Sequence, residues 1–446
     1  MKNLKSIILL TVFAIATIDL SAGIYNNNNQ SAAFMRNPAR SATYEVDGVY
    51  YNPAGTVFNT EGWHIGINNA SAWQERKLES NFPLLGQKNY DTKINSLVIP
   101  AVYASYVTDK WAFSGYFMAM GGGGTAEYEN GLPSFESLVR AGLASALPAG
   151  VTYDYASAFE GTLMSFSAQL GASYKFNDNF SAYAGVRAVM HSNKYNGFLS
   201  ATNVQVGGML LMPQAVDMQL DTKQGGIGIA PVLGLNYNHD RFNIGVKYEF
   251  NVGVEMENDT EKLIANMAGK DASAQLGAFE DGVKTNKDIP ALLTVGASYD
   301  LLENLKLSAA WWHHFDQNAD WGGKEDLLNG DTNEFMWGLE YTISPKWLVS
   351  CGMAISRYGI DEKFWTDMEQ VLDSETYAIG FRYSFTENIK FDLGVYTADY
   401  KNPYTDTNNY DALDAQLGQA MGTTLNSIDT YERSSFLVGL GLSFNF

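Results

Sequence analysis

The stretch Ser434-Ser435-Phe436-Leu437-Val438-Gly439-Leu440-Gly441-Leu442-Ser443-Phe444-Asn445-Phe446 decides the fold. In an extended chain Phe436, Val438, Leu440, Leu442, Phe444 and Phe446 share one face, opposite Ser435, Gly439, Gly441, Ser443 and Asn445. The same alternation sets Tyr377, Ile379, Phe381, Tyr383 and Phe385 against Thr376, Ala378, Gly380, Arg382 and Ser384. It also sets Trp347, Val349, Cys351, Met353 and Ile355 against Ser350, Gly352, Ala354 and Ser356, which makes Cys351 an apolar filler. A soluble sandwich alternates as well. Two features favour a membrane. Segment lengths match the ~9–11 residues of a tilted spanning strand. The strand charges, Lys175, Arg187, Lys247, Glu249, Glu340, Arg382, Lys390 and Asp392, all fall on the polar face, where a lumen tolerates them and lipid does not.

Working back from this strand, one turn grammar repeats at Thr108–Trp111, Asn177–Phe180, His239–Phe242, Leu302–Leu305, Ser344–Trp347 and Thr386–Ile389. A tyrosine precedes each (Tyr106, Tyr174, Tyr237, Tyr299, Tyr341 and Tyr383), as an interfacial girdle requires. Six hairpins, a strand near Trp63 to Trp73 and the closing strand make fourteen, an even number suited to an antiparallel transmembrane β-barrel. Both termini then lie on the short-turn, periplasmic side. The opposite connections, near 75–92, 122–160, 197–222, 257–288, 317–333, 359–373 and 401–431, are expected to be long external loops. Helical spacing appears at Leu132, Phe135, Leu138, Val139 and Leu143, at Leu263, Ile264 and Met267, and at Leu413, Leu417, Met421 and Leu425.

Composition agrees. Charged residues are 17% against an average of about 25%. A net charge of −20 with no basic patch excludes nucleic acid as a partner. Lys2 and Lys5, the apolar run Ile7–Ile18 and the small residues Ser21-Ala22-Gly23 read as a secretory signal peptide over residues 1–22. Residues 23–60 stay outside the alternating pattern and contain the rigid turn Tyr51-Asn52-Pro53-Ala54-Gly55, leaving 61–446 for the barrel.

Enzyme signatures are missing. Gly121-Gly122-Gly123-Gly124 has no following Lys-Ser/Thr, no Gly-x-Ser-x-Gly occurs, and adjacent His313 and His314 point to opposite faces of a strand. No catalytic residue, metal or cofactor is expected. Three groups are candidates for handling a hydrophobic ligand. Gly115 interrupts the strand Trp111–Met120, marking either a barrel corner or a side opening, with Tyr116, Met118 and Met120 facing inward. Met209-Leu210-Leu211-Met212 is an apolar external loop, either a miniature core or a landing groove. Arg187, Lys247, Arg382 and Lys390 offer the lumen cations to an anionic headgroup or to a network with Glu249, Glu340 and Asp392.

The chain resembles the FadL-type outer-membrane family, which transports long-chain fatty acids and other hydrophobic compounds. The resemblance lies in Ser21-Ala22-Gly23 opening the mature chain, in Val49-Tyr50-Tyr51-Asn52-Pro53-Ala54-Gly55, and in the fourteen strands that follow. It implies that residues 23–60 form a hatch inside the lumen, with Asn52, Pro53, Ala54 and Gly55 in it. It also implies that external loops catch the ligand and that a break in the Trp111–Met120 wall lets it leave sideways. Asn37-Pro38-Ala39 upstream reads as coincidence or as a second hatch turn. The expected function is passive, non-catalytic uptake of hydrophobic molecules such as long-chain fatty acids across the bacterial outer membrane, among outer-membrane lipids. A general porin or a surface adhesion barrel with a structural plug is the alternative.

Overall fold

A computed structural model of the chain describes residues 31–86, 89–147, 150–361, 364, 367, 371–401, 403–406, 414–415, 417–419 and 422–446. The segment 1–22 expected to be a signal peptide, the stretch 23–30, and Leu413 and Met421 lie outside the described residues. The wall consists of β1 (Gly62–Ser80), β2 (Thr92–Val107), β3 (Trp111–Tyr128), β4 (Val151–Lys175), β5 (Phe180–Val206), β6 (Met209–His239) and β7 (Phe242–Glu249), followed by β8 (Leu292–Leu302), β9 (Leu305–His314), β10 (Asn333–Ser344), β11 (Trp347–Arg357), β12 (Ser374–Ser384), β13 (Ile389–Tyr400) and β14 (Asp429–Asn445). Each pairs antiparallel with the next, and β14 returns to β1, from His64↔Asn445 to Ser80↔Asp429. Reciprocal bonds between Trp63 and Phe446, at 3.1 and 2.9 Å, close the periplasmic rim. The barrel is therefore closed with fourteen strands, as the turn grammar required.

The alternation sorts as expected. Phe117, Leu170, Ile227, Ile229, Trp337 and Ile379 are exposed on the outer face, where lipid covers them, and Tyr106, Tyr237, Tyr299 and Tyr341 mark the girdle. The external side departs from the expected loops. β4, β5 and β6 run for 25, 27 and 31 residues. A spanning strand needs about 9–11, so these three continue as sheet well beyond the bilayer. Residues 197–222 form a hairpin turned by Gly207-Gly208, both at positive φ, and Met209–Met212 opens a strand. Leu263, Ile264 and Met267 are not helical either; Glu255–Met267 pairs with β6. Outside the bilayer no lipid demands an apolar face, so the alternation loses contrast while backbone pairing still satisfies every strand. The helix over Leu132–Leu143 is present as Pro133–Ala146.

Inside the barrel lies the segment from Ser31 to Phe58: α1 (Ala32–Arg36), α2 (Gly48–Tyr51) and a 3-10 turn, Pro53–Phe58. Ser31 caps α1 by accepting from the Phe34 N–H at 3.0 Å. Inward-facing glycines make room for this insert. A Cβ on Gly394 would sit 2.5 Å from the Ala32 carbonyl and 2.7 Å from the Arg36 nitrogen, and one on Gly439 2.7 Å from Met35 Sδ.

Gly394→Val should overpack this contact by about 1–3 kcal/mol. The expected outcome is a barrel that keeps its heat-modifiable gel mobility while residues 31–58 become protease-sensitive. Unchanged protection would refute the close-approach argument.

Candidate functional site

Two kinds of contact hold the insert. On one arc of the wall they are ionic. Arg36 Nε donates to Asp392 Oδ1 at 2.8 Å, its Nη1 pairs with Glu340, and Arg382 grips both Asp392 (2.9 and 3.0 Å) and Glu45 (2.7 Å at Nη2). Arg40 completes the cluster through Asp47 at 2.6 Å and Glu45 at 2.5 Å. Burial opposes the charges of Arg40 and Glu45, and their partners win: Arg40 is held well above the ordinary guanidinium value by Asp47 and Glu45, and the arginines hold Glu45 well below the carboxylate range.

On the opposite arc the contacts are neutral apart from Lys247 on Tyr50. The Asn52, Asn236 and Asn243 amides chain at 2.8 Å each, Asn243 donates to the Ala42 carbonyl at 2.7 Å, and Ser173 and Ser181 donate to the carbonyls of Pro53 and Ala54 at 2.8 and 2.6 Å. Both Asn-Pro-Ala copies are in use. Asn37 meets Ser308 of β9 at 3.2 Å while Asn52 meets β6, so each copy touches a different part of the wall. Gly55 packs against the Asn52 side chain, where a Cβ would leave no room.

Of the lumen cations singled out from the sequence, three are closed in such networks. Arg187 pairs with Glu249, and Lys247 donates to Glu249 at 2.5 Å and to the Tyr50 carbonyl at 2.8 Å, with its ammonium 4.0 Å from the Tyr50 ring centroid. Arg382 belongs to the ionic arc. Lys390 stands apart, at the periplasmic rim. Among the described residues no His/Cys/Asp/Glu group is arranged to hold a metal.

The wall itself is interrupted. β2 and β3 pair only from Ala101↔Met118 to Val107↔Ala112. Beyond that the ladder gives way to isolated bonds, Ser96 Oγ to the Gly123 carbonyl at 2.5 Å and Glu127 N to Thr92 Oγ1 at 3.2 Å. On its other side β3 shifts register against β4 between Ala119 and Gly121 and again between Gly122 and Thr125. Gly122 and Gly123 sit at φ +72° and +105°, which other residues rarely adopt. Gly115 lies inside regular ladder on both sides, and the interruption begins only at the end of the stretch named from the sequence, from Ala119 onward. Tyr116, Met118 and Met120 do face inward and are buried just beneath it.

Behind this interruption is a cavity of about 190 Å³. Ile94, Ser96, Ile99, Gly122 and Gly124 border it on the gap side. Beside the gap, Arg76 and Arg433 line it as direct cross-strand partners on β1 and β14, β1 being the strand that pairs with β2. Arg433 lies 4.6 Å from the Tyr400 ring centroid, and Arg76 Nε donates to Gln74 at 2.8 Å. Like charges directly opposite on a sheet destabilise it. Further out, a groove of about 70 Å³ with a nearly all-apolar lining lies between α3 (Pro133–Ala146) and the extended strands, including Phe135, Val139, Met218, Leu220 and Phe279. Phe159 and Tyr195, stacked at 6.4 Å, line both spaces. Met209–Met212 reaches neither; Met209 is 76% exposed at the hairpin tip.

The family profile described as "Outer membrane protein transport protein (OMPP1/FadL/TodX)" matches residues 136–446, well over half of the chain. The chain belongs to this family. Its members are outer-membrane channels for hydrophobic compounds and not enzymes, and the closed multi-pass barrel agrees with that location. The solved structure of a Pseudomonas aeruginosa FadL homologue superposes with a TM-score of 0.66 at 12% identity, covering 95% of this chain and 100% of that one. The Pseudomonas putida toluene transporter TodX gives 0.59 at 14% identity, with the same coverage, and the Ralstonia pickettii toluene transporter TbuX 0.56 at 17%, covering 94% and 99%. No curated protein matches in sequence. At these identities the superpositions establish the fold.

Within this FadL/TodX barrel the sequence reading missed Arg76 and Arg433. They lie at the two ends of the chain, and only the register of the closing strand pair brings them together.

Asp392 links Arg36 to Arg382 with its side chain 4% exposed, so Asp392→Asn should cost about 3–5 kcal/mol by leaving buried charge uncompensated. A lowered melting temperature of the insert, followed by its protease protection, would register this. External docking should respond to pH. Burial raises the Asp367 carboxyl to about 6, with the Asp429 charge adding and the bond from Ser134 N (2.9 Å) opposing. A raised carboxyl favours the neutral form in the folded state, so its contribution is full below pH ~4 and lost as pH rises through about 6. Hydrogen exchange at the start of α3, corrected for intrinsic rate, should be slower at pH 5 than at pH 7.5, and Asp367→Asn should remove the difference.

Proposed function

We propose that this protein takes up amphipathic hydrophobic molecules with an anionic headgroup, long-chain fatty acids foremost, by passive diffusion. The carrying observation is the cavity lined both by the Arg76/Arg433 pair and by the neighbouring unpaired β2–β3 segment. A carboxylate between two facing guanidiniums relieves their repulsion and accepts charge-assisted bonds. The ligand enters by the outer groove, passes Phe159 and Tyr195, and leaves sideways between β2 and β3. Each CH₂ removed from water contributes about 0.8 kcal/mol, so no energy-coupled step is needed. Residues 31–58 act as the hatch that blocks polar leakage, with Asn52, Pro53 and Ala54 as one of its anchors.

A second reading is a neutral monoaromatic hydrocarbon. The cavity of about 190 Å³ favours it, since an apolar space of about 150 Å³ already holds benzene. The toluene transporters among the similar structures point the same way.

Uptake of labelled oleate and labelled toluene by cells carrying the Arg76→Gln/Arg433→Gln variant separates the two. The amphiphile reading expects a loss of about ten- to hundredfold for oleate, from charged hydrogen bonds of about 1.5–3 kcal/mol, and no loss for toluene. Oleate uptake that is absent in the parent protein, or unaltered in the variant, refutes it. Deleting residues 41–56 should leave an assembled barrel without selective uptake.

A further inference from the structure

The periplasmic rim carries another cavity, of about 500 Å³, between the turns that join β10 to β11 and β12 to β13. Its lining includes Arg382, Lys346 and Lys390 but only one carboxylate, Glu387, with Leu348, Trp347 and Phe385 beside them. The chain as a whole has 29 Lys+Arg against 49 Asp+Glu, so three cations around one carboxylate run against its composition. Among the described residues, Arg382 is ion-paired in the network above, and neither lysine has a carboxylate partner. Trp347 and Phe385 are exposed aromatics at the level where headgroups meet acyl chains.

Arg382 has two neighbours. On its upper side it holds Glu45 of the insert; on its lower side it lines this vestibule. Glu45 is also the solvent-facing member of the ionic cluster, with its side chain 28% exposed while Arg36, Arg40, Asp47, Glu340, Asp392 and Arg382 are all at 10% or below. Arg382 is thus the residue shared by the ionic cluster and the vestibule, and Glu45 is the least enclosed of its partners.

We propose that the vestibule binds the phosphate or carboxylate of an anionic amphiphile, and that the bound anion competes with Glu45 for Arg382. Lys346 and Lys390 act as point charges, Arg382 supplies the planar fork, and Trp347 and Phe385 receive the first carbons of the chain. Competition is reciprocal: weakening the Glu45–Arg382 pair strengthens anion binding, and the anion weakens the hold on the insert. This site does not rest on the transport reading, since binding is measured on purified protein and uptake plays no part.

The test is native mass spectrometry of the full chain in neutral detergent with phosphatidylglycerol, phosphatidylethanolamine, dodecanoate or inorganic phosphate. Phosphatidylglycerol should be retained over phosphatidylethanolamine by about tenfold. Lys346→Gln/Lys390→Gln should abolish that preference with heat-modifiable mobility unchanged, and Glu45→Gln should raise retention several-fold. Displacement of the lipid by dodecanoate but not by millimolar phosphate identifies an amphiphile as the occupant; displacement by phosphate alone identifies the free ion, which overturns the proposal. Equal retention of the two lipids, a preference that survives the double lysine change, or no response to Glu45→Gln would each overturn it too.

Discussion

Every backbone N–H and C=O in the hydrocarbon layer must find its partner within the protein, and the closure of β14 on β1 is where this chain meets that demand. Once the ring is closed, side chains must divide between lipid and lumen with period two. The outer positions become Phe, Leu, Ile and Trp, and the inner ones become small or polar. Inner glycines then let a folded segment press against the wall, and inner charges let it be held there. The same requirement makes the β2–β3 interruption notable, because it leaves a short length of wall without a ladder, bridged by side-chain and isolated backbone bonds.

The insert is fastened asymmetrically. Arg36, Arg40 and Arg382 with their carboxylates form one side, and an amide–hydroxyl chain through Asn52, Asn236, Asn243, Ser173 and Ser181 forms the other. Neutral bonds of this kind are each worth about 1 kcal/mol, while an ionic cluster loses far more when a single partner goes. The two sides therefore differ in how they release: the amide side yields gradually, the ionic side as a unit.

Much of the barrel was legible in the sequence because lipid imposes a strong, simple pattern. The tight turns, the tyrosines before them and the Phe436–Phe446 alternation sufficed to count fourteen strands. Where lipid stops, so does the pattern: the extensions of β4, β5 and β6 read as loops, and Leu263, Ile264 and Met267 read as helical because apolar spacing alone does not separate a solvated strand from an amphipathic helix. The candidate site was partly legible. Tyr116, Met118 and Met120 were placed facing inward from parity alone. Arg187, Lys247 and Arg382 stood between an anionic headgroup and a network with Glu249, Glu340 and Asp392 because parity reports the face but not the partner, and Glu249, Asp392 and Glu45 occupy them. Arg76 and Arg433 could not be paired without the closing register.

The hairpin tip at Gly207-Gly208 has a further consequence. At ~3.3 Å per residue β6 alone is about 100 Å long, and its outer end is one continuous sheet with β4 and β5. No atom comes within 4 Å of a Cβ placed on either glycine. The tip is thus carried well above the lipid with nothing packed against it. A fluorophore or epitope grafted there would stand clear of the lipid surface without displacing any packed side chain.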